Sequence, residues 1–138
     1  MSLKDIRPAL RAFVLAAPGI SSAISGRMYP SRLPQGTKDG GIVYNRISGQ
    51  GDHHNEGPSG LARVRMQIDC WMPSHDDAAA LALLVKAGID GYRGVMGAGD
   101  AAVQVQGVFF DSERDLPFDD VGKLCGVSHD YFIFYEER

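Results

Sequence analysis

The densest set of possible metal ligands in the chain is His53-His54-Asn55-Glu56. Adjacent histidines on a glycine-rich stretch point in different directions, whereas a metal site needs donors that converge on one ion. No metal or other cofactor is therefore expected. Cys70 and Cys125 form no CxxC pair, and Cys70 falls in an alternating apolar run, so it reads as a buried small hydrophobe in a reducing compartment. The acid pairs Asp76-Asp77 and Asp119-Asp120 could share a proton or a divalent ion. The first is better read as helix-start charge and the second as part of a solvated loop. His75 and His129 have no evident acidic or nucleophilic partner in the sequence. Gly36 to Gly41 and Gly94 to Gly99 lack the Lys-Ser/Thr pair of a phosphate-binding loop, and no Gly-x-Ser-x-Gly elbow occurs. The residue types are those of contact, not catalysis. The most suggestive set is Arg63, Arg65, Gln67, Asp69 and Trp71, a polar row that ends in tryptophan and suits a partner surface.

That row needs a strand to align it. Ala62 to Trp71 alternates strictly, with Ala62, Val64, Met66, Ile68 and Cys70 on one face and the polar row on the other. Ile42 to Ile47 is rich in β-branched and aromatic residues and reads as its hairpin partner. Ser48 to Gly60 has no aliphatic side chain and reads as a long exposed loop between them.

Residues 3 to 16 carry Leu3, Ile6, Leu10, Phe13 and Val14 at helical spacing; Pro8 fits only if the helix starts near Asp5 or Ile6. Ile20 to Ile24 offers one further short turn, and Met28 to Pro30 a brief extended piece. After Pro73, Ser74 is a candidate N-cap for a helix whose apolar stripe runs from Ala78 to Tyr92, with Gly94 just past its end. Val103 to Phe110 reads as a strand that is irregular at Gly107, Asp111 to Gly126 as an acidic loop, and Val127 to Tyr135 as a closing strand.

The expected fold is a single α+β domain over the whole chain, in the order helix-strand-strand-helix-strand-strand. It is a mostly antiparallel four-stranded sheet with two helices packed on one face.

The 138 residues suffice for a core without disulfide or metal staples, at an exposed area of roughly 7,000 Å². No apolar run approaches the ~20 residues of a membrane helix, and the first residues lack the pattern of a secretory signal, so a cytoplasmic setting is expected. A net charge of −3 argues against a surface that grips nucleic acid throughout. The charge is unevenly spread: residues 1–70 carry a net +4 and residues 71–138 a net −7. If the two halves interleave on folding, the asymmetry vanishes. If they do not, the subunit has a basic and an acidic side suited to head-to-tail contact with its own copies.

Several segments together resemble one family. They are Gly26-Arg27-Met28-Tyr29-Pro30, Arg32-Leu33-Pro34-Gln35-Gly36, Ile42 to Gly49, Gly60 to Trp71 and Val105 to Asp115, in that order and spacing. With the closing aromatic strand, they are similar to the tail completion, or tail terminator, proteins of long-tailed bacteriophages and prophages.

The resemblance implies a non-enzymatic structural protein. Copies would form a ring of six on the head-proximal end of the tail tube, stop tube polymerisation and offer a docking surface to the head connector or neck protein. It would assemble in the bacterial host cytoplasm and reside at the head-tail junction of the virion. DNA would pass through the lumen without specific binding, and no membrane would be involved. Candidate subunit contacts are Arg63, Arg65 and Trp71 against Asp115, Asp119 and Asp120; the candidate tube or connector loop holds His53, His54 and Glu56. Reversing Arg63 and Arg65 to Glu is expected to abolish the ring and leave the monomer folded. The alternatives are a head-tail joining protein without length control and, more distantly, a small metal-dependent enzyme.

Overall fold

The computed structural model describes residues 3–54 and 57–137. Its helices are α1 (Ile6–Ala16), α2 (Ile20–Ile24) and α3 (His75–Ile89). Its strands are β1 (Met28–Pro30), β2 (Gly41–His54), β3 (Gly57–Met72), β4 (Gly94–Met96), β5 (Val103–Asp119) and β6 (Leu124–Glu136). The strands form one curled, mixed sheet in the order β1-β2-β3-β6-β5-β4, in which only the β1–β2 pair is parallel.

The expectation of a four-stranded antiparallel sheet with two helices is therefore corrected to six strands and three helices. Two short edge strands account for part of the difference. The rest lies in the supposed loops. Ser48 to Gly60 is largely the far end of the β2–β3 hairpin, and Asp111 to Gly126 is mostly β5 and β6. Neither segment shows the alternation of a half-buried strand, Leu124 being the one buried aliphatic residue among the described residues of the two, yet backbone ladder bonds need no such side chains. Register shifts at Arg46/Ser48, Gly51/His53, Val105/Gly107 and Phe110/Ser112 also break the period-two pattern that marks a strand in sequence.

The helix starts follow local chemistry. The Asp5 carboxylate accepts from the Arg7 backbone N–H at 2.9 Å, which opens α1 at Ile6 and leaves Pro8 in the first turn, where it costs no internal bond. Ser74 Oγ accepts from the Asp77 N–H at 3.1 Å, and Asp76 and Asp77 occupy the first turn of α3. That helix ends at Ile89, short of the expected Gly94. Gly91, at φ 81°, turns the chain, and the Asp90 carboxylate accepts from the Phe110 N–H at 2.9 Å, tying the turn to β5.

Ile6, Leu10 and Val14 of α1, Ile20 and Ile24 of α2, and Leu81, Val85 and Ile89 of α3 are buried on one side of the sheet. They pack with Val64, Met66, Ile68 and Cys70 of β3 and Val127, Tyr131 and Ile133 of β6. Each such aliphatic side chain contributes about 1.5–3 kcal/mol relative to exposure. The core-facing half of the alternation in β3 is thus as its sequence requires, and the polar row faces the side without helices. Cys70 is 1% exposed, and burial pushes its thiol pKa well up. The exposed area, 7598 Å², is close to that expected for the chain length.

Candidate interaction surfaces

On the helix-free face the row Arg63, Arg65, Gln67, Asp69, Trp71 runs along β3, but its members have different fates. Arg63 is exposed; its guanidinium donates to Gln50 Oε1 at 2.9 Å and lies 5.4 Å from the Phe132 ring centre. Arg65 is engaged within its own chain. Its Nη2 and Nε donate to Asp130 Oδ2 at 2.6 and 3.1 Å, and Asp111 stands 3.5 Å away. Asp130, on β6, is only 4% exposed, and Arg114 approaches its second oxygen at 3.7 Å. Gln67 Nε2 donates to both carboxylate oxygens of Asp69 at 3.0 Å.

Trp71 is half-buried at the opposite end of the row, its ring over Gly126. It lines a groove of about 400 Å³ with Arg32, Leu33, Val43, Asp69 and Asp119. Reversal of Arg65 would set a carboxylate against the buried Asp130, so the double reversal of Arg63 and Arg65 cannot isolate a surface effect.

The acidic set is also divided. Asp115 is exposed and accepts from His75 Nε2 at 3.0 Å; this hydrogen bond, reinforced by charge, raises the His75 pKa above its ordinary value. Asp119 closes the β5–β6 turn, its carboxylate accepting from the Val121 N–H at 3.1 Å and its carbonyl from the Lys123 N–H at 2.7 Å. Asp120 is exposed in that turn. His53 and His54 lie in β2 near the end of the β2–β3 hairpin, and Glu56 lies outside the described residues. Trp71 and Asp119 share a groove, while Arg63 lies toward the other end of the sheet. The three residue sets thus do not form one site.

Both remaining histidines have carboxylate partners that the sequence reading missed. His129 is 1% exposed; its Nδ1 lies 3.0 Å from the Tyr131 hydroxyl and its Nε2 3.2 Å from Glu113 Oε2. Phe110 packs edge-on against the imidazole, and Lys86 Nζ sits 3.9 Å from the Phe110 ring centre. Burial pushes the His129 pKa down, against the opposing pull of Glu113. The Glu113↔His129 register pair would have revealed this contact had Asp111 to Gly126 been read as strand. Among the described residues, no three His, Cys, Asp or Glu side chains gather where a metal could be held, and no helix is long and apolar enough to cross a membrane.

Charge separates with the fold. The sheet order places β1, β2 and β3 on one side and β6, β5 and β4 on the other, so the two halves of the chain do not interleave in the sheet. On the first side, residues 25–50 carry Arg27, Arg32, Lys38 and Arg46 against Asp39. On the second, residues 106–123 carry Asp111, Glu113, Asp115, Asp119 and Asp120 against Arg114 and Lys123. The two hairpins also project from opposite ends: β2–β3 runs past the Leu61↔Glu136 pair, and β5–β6 past Met72↔Cys125.

The family model described as tail completion protein gp17 matches residues 8–131. Among solved structures, the chain is similar to one in the structure titled "Virion of native gene transfer agent (GTA) particle". The TM-score is 0.70 at 14% identity, covering 95% of this chain and 97% of that one. No curated protein matches by sequence.

Proposed function

The chain belongs to the tail completion protein gp17 family, and from that premise we propose that its copies form a ring of six on the head-proximal end of a finished tail tube. A member of this family is a structural tail protein. In the proposed role the ring ends tube polymerisation and presents a docking surface to the head connector, and DNA passes through its lumen without specific binding. Assembly takes place in the bacterial host cytoplasm.

The observation that carries this reading is the retention of opposite charge on opposite sides of the sheet. A ring requires heterologous contacts, in which one surface of each subunit meets a different surface of the next, and complementary sides supply them. The hairpins at opposite ends support a subunit that contacts one neighbour above and another below, with His53, His54 and Glu56 offered to the tube or the connector. Arg63 and Trp71 remain candidates for contact on the helix-free face, and Asp115, Asp119 and Asp120 on the acidic side.

The test is electron microscopy of particles from a producing strain lacking the gene, beside the complemented strain. Abnormally long, headless tails are the expected result. Headless tails of normal length would instead assign a joining role without length control, and unaltered infectious particles would overturn both.

A further inference from the structure

The two lateral edges of the sheet are stepped as well as oppositely charged. β1 covers β2 at Ile42 to Tyr44, and from Arg46 onward no strand among the described residues pairs with the outer side of β2. β4 covers β5 only at Val103 to Val105. The turn after α3 occupies the next stretch, with the Gly91 N–H donating to the Val108 carbonyl at 2.8 Å and the Phe110 N–H to Asp90. From Asp111 to Phe118, no strand among the described residues pairs with the outer side of β5.

The register relates the two edges. Met28 pairs with Ile42, which stands in line with Cys70, Val127 and Asp115, so β1 is level with the bare part of β5. Gly51 stands in line with Ala62, Tyr135, Val105 and Gly94, so β4 is level with the bare part of β2. A second copy set alongside in the same orientation therefore brings its β1 next to the bare segment of β5, while β4 enters the recess beside β2. Each projection meets a recess.

Charge selects the same arrangement. Arg27, Arg32 and Lys38 flank β1, and none of them forms an ion pair among the described residues; Arg27 is held only by the carbonyls of Asp39 and Gly40. The bare segment of β5 carries Asp111, Glu113 and Asp115 against Arg114; each acid also meets a partner in its own chain, Arg65, His129 and His75 respectively, but Asp111, Glu113 and Asp115 stay exposed.

Resting on the ring reading above, we infer that successive copies join through the β1 edge of one, bearing Arg27, Arg32 and Lys38, and the Asp111–Phe118 edge of the next. The joint is ionic and not a continued ladder. Pro30 has no N–H to donate, and the Met28 carbonyl already accepts from Arg11 Nε at 2.9 Å.

The test complements the deletion strain with three variants: Arg32→Glu with Lys38→Glu, Asp115→Lys alone, and all three changes together. The side chains changed are exposed, and thermal melts of the purified variants check that each is folded. Either single-edge variant should lower the yield of finished particles at least about tenfold, and the combination should recover much of it, because like charges are then no longer opposed across the joint. Folded single-edge variants that finish particles at the wild-type yield, or a combination that recovers nothing, would overturn the edge assignment and leave the tail role standing. A deletion strain that finishes particles unaided would instead remove the ring reading itself.

Discussion

Arg65 and Asp130 face each other from β3 and β6 on the helix-free side of the sheet, joined at 2.6 Å, with Asp130 4% exposed. Asp130 has no hydrogen bond to its Oδ1, so its solvation depends on Arg65 and, more distantly, on Arg114. Truncating Arg65 strands a buried carboxylate, and such a group is costlier unpaired than absent. Arg65→Ala should lower the thermal midpoint on the order of 5 °C, and Arg65→Ala with Asp130→Ala should regain part of that loss. Circular-dichroism melts of the two variants decide the matter; a double variant no more stable than Arg65→Ala would show that the carboxylate is not the source of the loss. Arg63→Glu, by contrast, should melt like the wild type, which makes Arg63 the clean probe of this face.

Trp71 rests on Gly126. A Cβ at position 126 would lie 2.8 Å from two atoms of the indole and 3.0 Å from Leu116 Cδ1, closer than packing tolerates. Gly126→Ala should therefore cost about 1–3 kcal/mol and tilt the indole away from the sheet. Because Trp71 is the one tryptophan in the chain, the displacement reads directly as a red shift of intrinsic fluorescence. An unshifted spectrum with an unchanged melt would mean that the contact is relieved elsewhere.

The sequence reveals elements where a side-chain pattern coincides with a covered surface. Ala62 to Cys70 alternates because one face of β3 lies under helices, and Ser74 and Asp5 mark helix starts because their side chains do the capping. Family membership was equally legible, since it rests on the order of whole segments. The ends of both hairpins were not, because ladder bonds between backbones leave no trace in composition and bulges interrupt the alternation. The same misreading hid the His129–Glu113 pair and the partly internal use of the candidate contacts. Arg65 looked free because Asp130 is 65 residues away in sequence.

The two paired histidines should impose opposite pH dependences. His129 is held below its ordinary 6.5 by burial, so the unfolded chain binds its proton more readily, and stability falls as pH drops below about 6.5. His75 is held above 6.5 by Asp115, so its contribution is present below that pH and is lost as pH rises through the raised value. The second effect is small, because both partners are exposed. Proton NMR titration should give a midpoint below 6.5 for His129 and above it for His75. His129→Gln should flatten the decline of the melting midpoint between about pH 6.5 and 5. An unchanged slope would place the acid sensitivity in carboxylates instead.

The far end of the β2–β3 hairpin is separable from the fold. β3 pairs with β6 from Leu61 onward, and just before it the Glu137 N–H donates to the Gly60 carbonyl at 2.8 Å. Replacing residues 53–58 by Asn-Gly removes His53, His54 and Glu56, keeps Gly60, and supplies a turn whose twist matches a two-stranded ribbon. The shortened protein should melt within about 2 °C of the wild type, since the replaced residues include no aliphatic or aromatic hydrophobe. If the hairpin engages the tube or the connector, particles made with the shortened protein should be headless or incompletely joined, and electron microscopy would show which end fails. A folded, shortened protein that yields complete particles would exclude the hairpin from docking and leave the lateral edges and the β5–β6 turn as the surfaces for partners.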